Sequence, residues 1–202
     1  MHDRSRLRRA EVLRRGRGGG VALLTSGAAL GALAAPASAA VPDVDLSYLR
    51  VLIATELLKG DFQEKALTSG KLDASATRLL RRMQTDDRAH SAGLASLLAG
   101  AGQPPATADD IDFSYPRRSF DTRDAIVKLG WTLATLALGA YLGAIENVQT
   151  PAARLALAQI AANEAQQLSA LGPLAGRPTI GAAFAAALSI DAVSAALDEY
   201  ES

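Results

Sequence analysis

The sequence predicts an all-α protein built on four long helices and a short C-terminal helix, for three reasons. The 202 residues are 49% hydrophobic but only 4% aromatic, and the chain beyond residue 40 is rich in Ala and Leu, which favour helices. Apolar residues recur there at helical spacing, which argues against a sheet. The predicted connections are short, long and short in turn, whereas an up-down-up-down bundle needs three short loops.

The charges are unevenly distributed along the chain. Residues 1–20 hold seven of the 21 Lys and Arg and two of the 21 Asp and Glu, which leaves 14 basic and 19 acidic residues beyond them. This acidic remainder disfavours a nucleic-acid partner, which would require a basic face. The chain has no Cys, so it can form neither a disulfide nor a cysteine-linked lipid anchor.

The first segment, residues 1–39, has the pattern of a signal peptide. An arginine-rich start leads into an uncharged run at 21–35, and small residues follow Pro36. We expect cleavage after Ala39. The 15-residue run would span only about 22 Å as a helix, less than the ~30 Å hydrocarbon core, so a permanent membrane anchor is the weaker interpretation.

Two arginine pairs in this segment, at positions 8–9 and 14–15, suggest the twin-arginine export route. Neither pair is followed immediately by two hydrophobic residues, so the general secretory route stays equally open. On either route, residues 40–202 form the exported domain. We expect this domain in the periplasm, in the cell envelope or outside the cell.

The first two helices form a pair with a short connection. The first is predicted from about Asp45 to Thr68, where Ser69 and Gly70 close it. The second begins with Asp73 as its N-cap and ends near Gly100. Short loops join antiparallel neighbours.

The next two helices form a second such pair. The third is predicted from about Thr122 to Val148. The fourth begins with Thr150 as N-cap and Pro151 at the first helical position, and runs to Leu171. A short fifth helix follows Ser189 and continues through Tyr200. The roughly twenty residues between the pairs, 101–121, include three prolines and can travel the length of a bundle.

The third helix raises the alternative of a membrane span, because it carries no charge over 17 residues from Leu129 to Ile145. That length falls short of the usual ~20 residues, and Thr132 and Thr135 interrupt it. Its many small residues suit close helix packing at a bundle centre. We therefore predict no stable membrane span after signal cleavage.

Three of the four long helices direct an acid toward the core. Glu56 lies in the apolar stripe of the first helix and Glu164 in that of the fourth. On the second helix, Asp87 and His90 share the buried face. No inward Lys or Arg is evident to pair with these acids.

Converging buried acids must be protonated, paired with cations or bound to a metal, because an unpaired buried carboxylate costs several kcal/mol. An imidazole among oxygen donors suits one Fe, Mn or Zn ion. The alternative is that the acids lie near the bundle ends or in a wet cavity, with His90 an ordinary core histidine.

Nearly all of the sequence from 45 to 171 also resembles a known protein family. The matching segments are Glu56 with Asp61-Phe62, Asp87-Arg88-Ala89-His90 followed by 100–105, Ala140-Tyr141-Leu142-Gly143-Ala144, and Asn163-Glu164-Ala165-Gln166-Gln167. The chain resembles the ferritin-like superfamily, in particular its exported bacterial branch near the desiccation-related proteins. The resemblance implies a four-helix bundle with a long crossover between helices two and three.

The resemblance also implies a metal site with a departure from the family pattern. The family holds two ions with one Glu on each of helices one and three and a Glu-x-x-His on each of helices two and four. Two of these positions carry no ligand here, since Ala134 replaces the third-helix Glu and Gln167 the last His. The surviving ligands are Glu56, Asp87, His90 and Glu164, which all belong to one ion. A paired-iron site is therefore not expected, and Asp87 is one methylene shorter than the Glu it replaces.

These observations leave three functional hypotheses. The leading one is an exported ferritin-like protein with a degenerate metal centre, metal-binding or stress-related, without di-iron chemistry. The second is a mononuclear metal oxidase or peroxide-consuming enzyme, and the third is a metal-free structural or interaction bundle. No catalytic residue is assigned, although Tyr141 is expected near the site and Asp86 could replace Asp87 if the helix were rotated. The oligomeric state stays open.

Overall fold

Five α-helices make up the architecture in the computed structural model, which describes residues 41–201. They are α1 (Asp43–Thr68), α2 (Ala74–Gly100), α3 (Arg123–Asn147), α4 (Pro151–Leu174) and α5 (Ile190–Asp198). Within residues 41–201 the only β-type pairing is an isolated bridge between Phe113 and Glu201. The all-α prediction is confirmed. The predicted signal peptide, residues 1–39, lies outside the described residues.

Three helices begin with a capping side chain: Asp73 is the predicted N-cap of α2, and Thr122 and Ser189 lie at the predicted starts of α3 and α5. The side chains of Asp73, Thr122 and Ser189 each accept a hydrogen bond from a backbone N–H three residues later, at 2.8, 3.1 and 3.2 Å. These bonds satisfy N–H groups that have no partner inside the helix. Short polar side chains at the predicted positions therefore begin α2, α3 and α5.

Helix α4 begins with Thr150 as N-cap and Pro151 as its first residue, as predicted, but the Thr150 side chain makes no capping hydrogen bond. Asp45 on α1 accepts hydrogen bonds from the backbone N–H groups of Gln149 and Thr150, at 2.8 and 2.9 Å. Burial opposes these bonds, but the bonds dominate and the pKa of Asp45 is lowered. The cap therefore comes from the neighbouring helix and ties α4 to α1.

The four long helices pack as two antiparallel pairs. Helix α1 packs against α2 and α3, while α4 packs against α3 and α2. Residues 101–122 form the long crossover between the pairs, with a 3-10 turn at Ala108–Asp110. The Tyr115 hydroxyl fastens this crossover to α1 by donating to Asp61 Oδ2 at 2.8 Å. The predicted topology is confirmed.

Helix α3 is the core helix of the bundle. It is long and apolar enough to cross a membrane, but 61% of its most apolar window is buried inside the protein. Burial against α1, α4 and α5 accounts for this apolar character, which favours the predicted core helix over a span.

The segment 175–189 returns the chain from α4 to α5 across the small residues of α3. The Leu188 N–H donates to the carbonyl of Gly139 at 2.9 Å. Its carbonyl oxygen lies so close to Gly143 that an added Cβ would be only 1.8 Å away. The two glycines therefore form the groove in which this segment lies.

Candidate metal centre

The four predicted ligands are buried together in the middle of the bundle. Each of Glu56, Asp87, His90 and Glu164 offers one ligand atom, and these atoms all lie within 4.8 Å of one another. Ligand atoms around one first-row ion lie at most about 4.4 Å apart, so one ion would draw them only slightly closer. The acids therefore do not lie near the bundle ends, and a cleft borders two of them, Glu56 and Asp87.

A lysine lies among these acids, contrary to the expectation that no inward cation pairs with them. Lys59 is only 2% exposed. Its Nζ lies 2.6 Å from Glu164 Oε1 and 3.1 Å from Asp87 Oδ1. Glu56 Oε2, one helical turn earlier, lies 3.5 Å from the same nitrogen. Burial alone would lower the pKa of Lys59, but the three carboxylates reverse this effect and raise it above its ordinary value, so Lys59 carries its charge.

Two glutamines hold the Asp87 carboxylate from either side. Gln63 Nε2 donates to Asp87 Oδ2 at 2.6 Å, and Gln167 Nε2 donates to Asp87 Oδ1 at 2.7 Å. The Gln167 amide also donates to Asn163 Oδ1 at 2.9 Å. The residue that replaces the family's last histidine therefore orients an acid, since its nitrogen is a donor and has no lone pair for a metal.

Tyr141 on α3 joins the cluster through Glu56. Its hydroxyl donates to Glu56 Oε1 at 2.6 Å. Burial first, and then the nearby Glu56 carboxylate, raise the pKa of Tyr141 well above its ordinary value. The expectation that Tyr141 lies near the site is confirmed, and its role there is to donate a proton in a hydrogen bond.

His90 lies at the edge of the cluster and presents Nδ1 to the acids. This nitrogen is 3.1 Å from Glu164 Oε1 and 3.6 Å from Glu56 Oε1, but it has no partner with hydrogen-bond geometry among the described residues. Burial lowers the pKa of His90, whereas the neighbouring carboxylates of Glu164 and Glu56 outweigh burial and raise it to about 9. The carboxylates around His90 therefore strongly favour a positive charge at this position.

Several buried oxygen and nitrogen atoms of side chains in the cluster have no hydrogen-bond partner among the described residues. They are Glu56 Oε2, Glu164 Oε2 and His90 Nδ1, together with the amide oxygens of Gln63 and Gln167. Buried polar atoms are normally satisfied, and the carboxylate and imidazole atoms among them belong to residue types that ligate Fe, Mn or Zn. One ion fits this donor set. A second ion does not, because Ala134 is buried with no donor atom and Gln167 is engaged with Asp87.

A cleft of about 340 Å³ connects the cluster with the surface. Its wall includes buried Glu56 and Asp87 together with exposed Glu64 and Arg88. At Gly60, an added Cβ would meet no atom within 4 Å, so the absence of a side chain keeps this wall open. The cleft therefore leads from the surface to the residues that carry two of the acids.

The remaining polar candidates lie outside the cluster. Asp86 pairs with Arg82 on the surface of α2 at 3.0 Å, so the alternative in which it replaces Asp87 is wrong. Glu146 is exposed.

The residues that sequence reasoning missed are Lys59 and Gln63. Both lie in the heptad spacing that runs from Leu52 through Glu56 to Ala66, so helical periodicity could have identified them.

A four-helix bundle with this crossover, and with carboxylates and a histidine at its centre, is the arrangement of ferritin-like proteins. The sequence matches the ferritin-like domain family over residues 44–177. The chain therefore belongs to this family. No curated protein matches the sequence significantly. The buried ligand cluster fits a metal-binding role.

Proposed function

We propose that this is an exported ferritin-like protein that binds one metal ion and performs no two-iron chemistry. The observation that carries the proposal is the set of unsatisfied buried donor atoms on Glu56, His90 and Glu164, which face one another from three helices. A buried set of this kind is unfavourable unless a cation completes it.

The residues that would hold the ion are Glu56, Asp87, His90 and Glu164. A bound Fe, Mn or Zn ion would supply a Lewis acid, and a redox centre in the case of Fe or Mn. The protein's own contribution is to orient the ligands: Tyr141 fixes Glu56, while the two glutamines fix Asp87. Reactions that need two adjacent irons are outside this proposal, because the positions for a second set of ligands carry Ala134 and Gln167.

The test is the metal content of the processed protein, purified without chelator from a host that exports the full-length chain. We expect about one Fe, Mn or Zn ion per chain by mass spectrometry. The matched control is His90→Ala, which removes a nitrogen ligand at the edge of the cluster and should lose the ion. Folded wild-type protein without metal after growth in metal-supplemented medium would contradict the proposal.

The second candidate function is a metal-free structural or interaction bundle, and Lys59 is the observation that favours it. The Lys59 ammonium partly neutralises the acids without any metal. On this hypothesis the wild-type and His90→Ala proteins contain equally little metal and are both folded. The same measurement therefore decides between the two candidates.

The mononuclear oxidase or peroxide-consuming enzyme is a narrower form of the leading proposal. It requires a bound redox metal and a change in its absorption spectrum when oxygen or peroxide is added. A stress-related role in the cell envelope follows from the predicted export and from the resemblance to the desiccation-related branch. Stopped-flow spectra of the loaded protein test the enzyme hypothesis.

A further inference from the structure

We propose that Lys59 is the resident cation of the acid cluster, and that a metal ion binds there only by displacing its ammonium group. This inference extends the proposed metal-binding function. For the wild-type protein, it rests on that proposed function. It assigns Lys59 a role of its own, because a lysine has no place among the ligands that the family resemblance supplies.

The position of the ammonium group is the first reason. Lys59 Nζ contacts acids from all three ligand-bearing helices, at 3.5 Å to Glu56, 3.1 Å to Asp87 and 2.6 Å to Glu164. An ion shared by the same carboxylates would lie beside a buried positive charge. In a low-dielectric interior that repulsion is strong, so the ion and the ammonium exclude each other.

The second reason is that carboxylates outnumber cationic side chains in the cluster. Three carboxylates face the Lys59 ammonium and the His90 imidazole, and Glu164 Oε2, which has no hydrogen-bond partner among the described residues, shows that Lys59 does not use every oxygen. A divalent ion carries twice the charge of the ammonium and takes more ligands. Exchange is therefore possible, but the ion must compete with a cation that is covalently part of the chain.

The path to the cluster is the third reason. The cleft between α1 and α2 reaches Glu56 and Asp87 from the surface, and Asp61 and Glu64 line its wall. A metal ion can therefore approach the acids while Lys59 holds them.

The experiment compares wild type, Lys59→Met and Lys65→Met. Methionine keeps the length of the side chain and removes its charge. Lys65 is the matched control, because it lies on the same helix but is exposed and pairs with Asp61. Binding of Mn²⁺ and of Zn²⁺ is measured by titration calorimetry on protein stripped of metal, and thermal unfolding is followed in chelator and with each ion.

We expect Lys59→Met to bind one ion per chain more tightly than wild type. Its dissociation constant should be smaller by a factor on the order of ten or more. In chelator this variant should unfold at a lower temperature than wild type, because three acids lose their cation. Added Mn²⁺ or Zn²⁺ should restore it. The same ions should have much smaller effects on wild type and on Lys65→Met.

The outcomes separate this inference from the proposed function. Equal binding by wild type and Lys59→Met overturns the inference and leaves the proposed function standing. Binding by Lys59→Met alone supports the inference and overturns the proposed function. No binding by either protein overturns both.

If Lys59→Met fails to fold, a second variant keeps the inference testable. The double variant Lys59→Met with Glu164→Gln removes one cation together with its nearest acid, so the net charge of the cluster is unchanged. It retains Glu56, Asp87 and His90, and we expect it to bind Zn²⁺ more tightly than Glu164→Gln alone. Equal or weaker binding by the double variant overturns the inference.

Discussion

The hydrogen bond between Tyr141 and Glu56 shows at residue scale how the bundle holds buried acids. Both side chains are almost completely buried, and the hydroxyl donates to Glu56 Oε1 at 2.6 Å. Lys59 contacts the other oxygen of the same carboxylate. Each partner therefore stabilises one half of a charged group that is almost completely buried.

We predict that Tyr141→Phe destabilises the protein by about 1–3 kcal/mol, because Glu56 Oε1 loses the hydroxyl that donates to it. Urea unfolding followed by circular dichroism measures this change. The matched control is Tyr48→Phe, since Tyr48 is also buried but has no hydrogen bond to another described residue through its hydroxyl. An equal loss of stability in both variants would show that the hydrogen bond contributes nothing specific.

At the residue scale the sequence predicted the ligands but not the lysine. The four ligand candidates interrupt apolar stripes, and an acid in such a stripe is conspicuous. Lys59 lies in the same stripe, but a lysine at such a position is ordinarily expected to extend its ammonium to solvent. Only the convergence of three helices around Nζ makes its complete burial favourable.

At the scale of elements, the glycines of α3 are explained by the segment that crosses them. Gly139 accepts a hydrogen bond from Leu188, and the Leu188 carbonyl touches the backbone of Gly143. Glycine within a helix is unfavourable by about 0.5–1 kcal/mol relative to alanine. The close crossing of residues 175–189 accounts for its presence here.

We predict opposite effects of the same substitution at two helical glycines. Gly143→Ala places a methyl group against the Leu188 carbonyl, with 1.8 Å available, and should destabilise the protein by about 1–3 kcal/mol. Gly93→Ala on α2 meets no atom within 4 Å and should stabilise it by about 0.5–1 kcal/mol. Differential scanning calorimetry measures both. Equal effects would contradict the close crossing.

Element boundaries were predicted well where a local side chain determines them. Asp73 caps α2 as expected, and Thr122 and Ser189, at the predicted starts of α3 and α5, also cap their helices, because each bond spans only three residues. Thr150 is the N-cap of α4 as predicted, but Asp45 and not the Thr150 side chain accepts the N–H bonds there. That cap joins residues more than a hundred positions apart, which local sequence patterns do not reveal.

At the scale of the whole molecule, the two helix pairs place all the ligands at one level of the bundle. Helices α1, α2 and α4 carry the acids, and α3 contributes Tyr141 and the small residues that permit close packing. The cluster therefore depends on the assembled bundle, since no single helix or pair contains it.

We predict that export removes residues 1–39, so that the mature protein begins at Ala40. Intact-mass measurement and N-terminal sequencing of protein from a secreting host test this cleavage site. Replacing both arginine pairs, 8–9 and 14–15, by lysine pairs should block export on the twin-arginine route and leave the general secretory route largely unaffected. Mature-length protein with a different first residue would contradict the predicted cleavage site, and a retained N-terminus would contradict the signal peptide.

The sequence by itself determined the helices, their order, the long crossover and the four ligand candidates. These features follow from apolar periodicity, local capping and loop length, all of which act over a few neighbouring residues. The tertiary structure alone decided that Lys59 occupies the acid cluster, that Asp45 caps α4 and that the segment 175–189 needs Gly143. Each case involves at least one partner that is distant along the chain, and only packing brings that partner into contact.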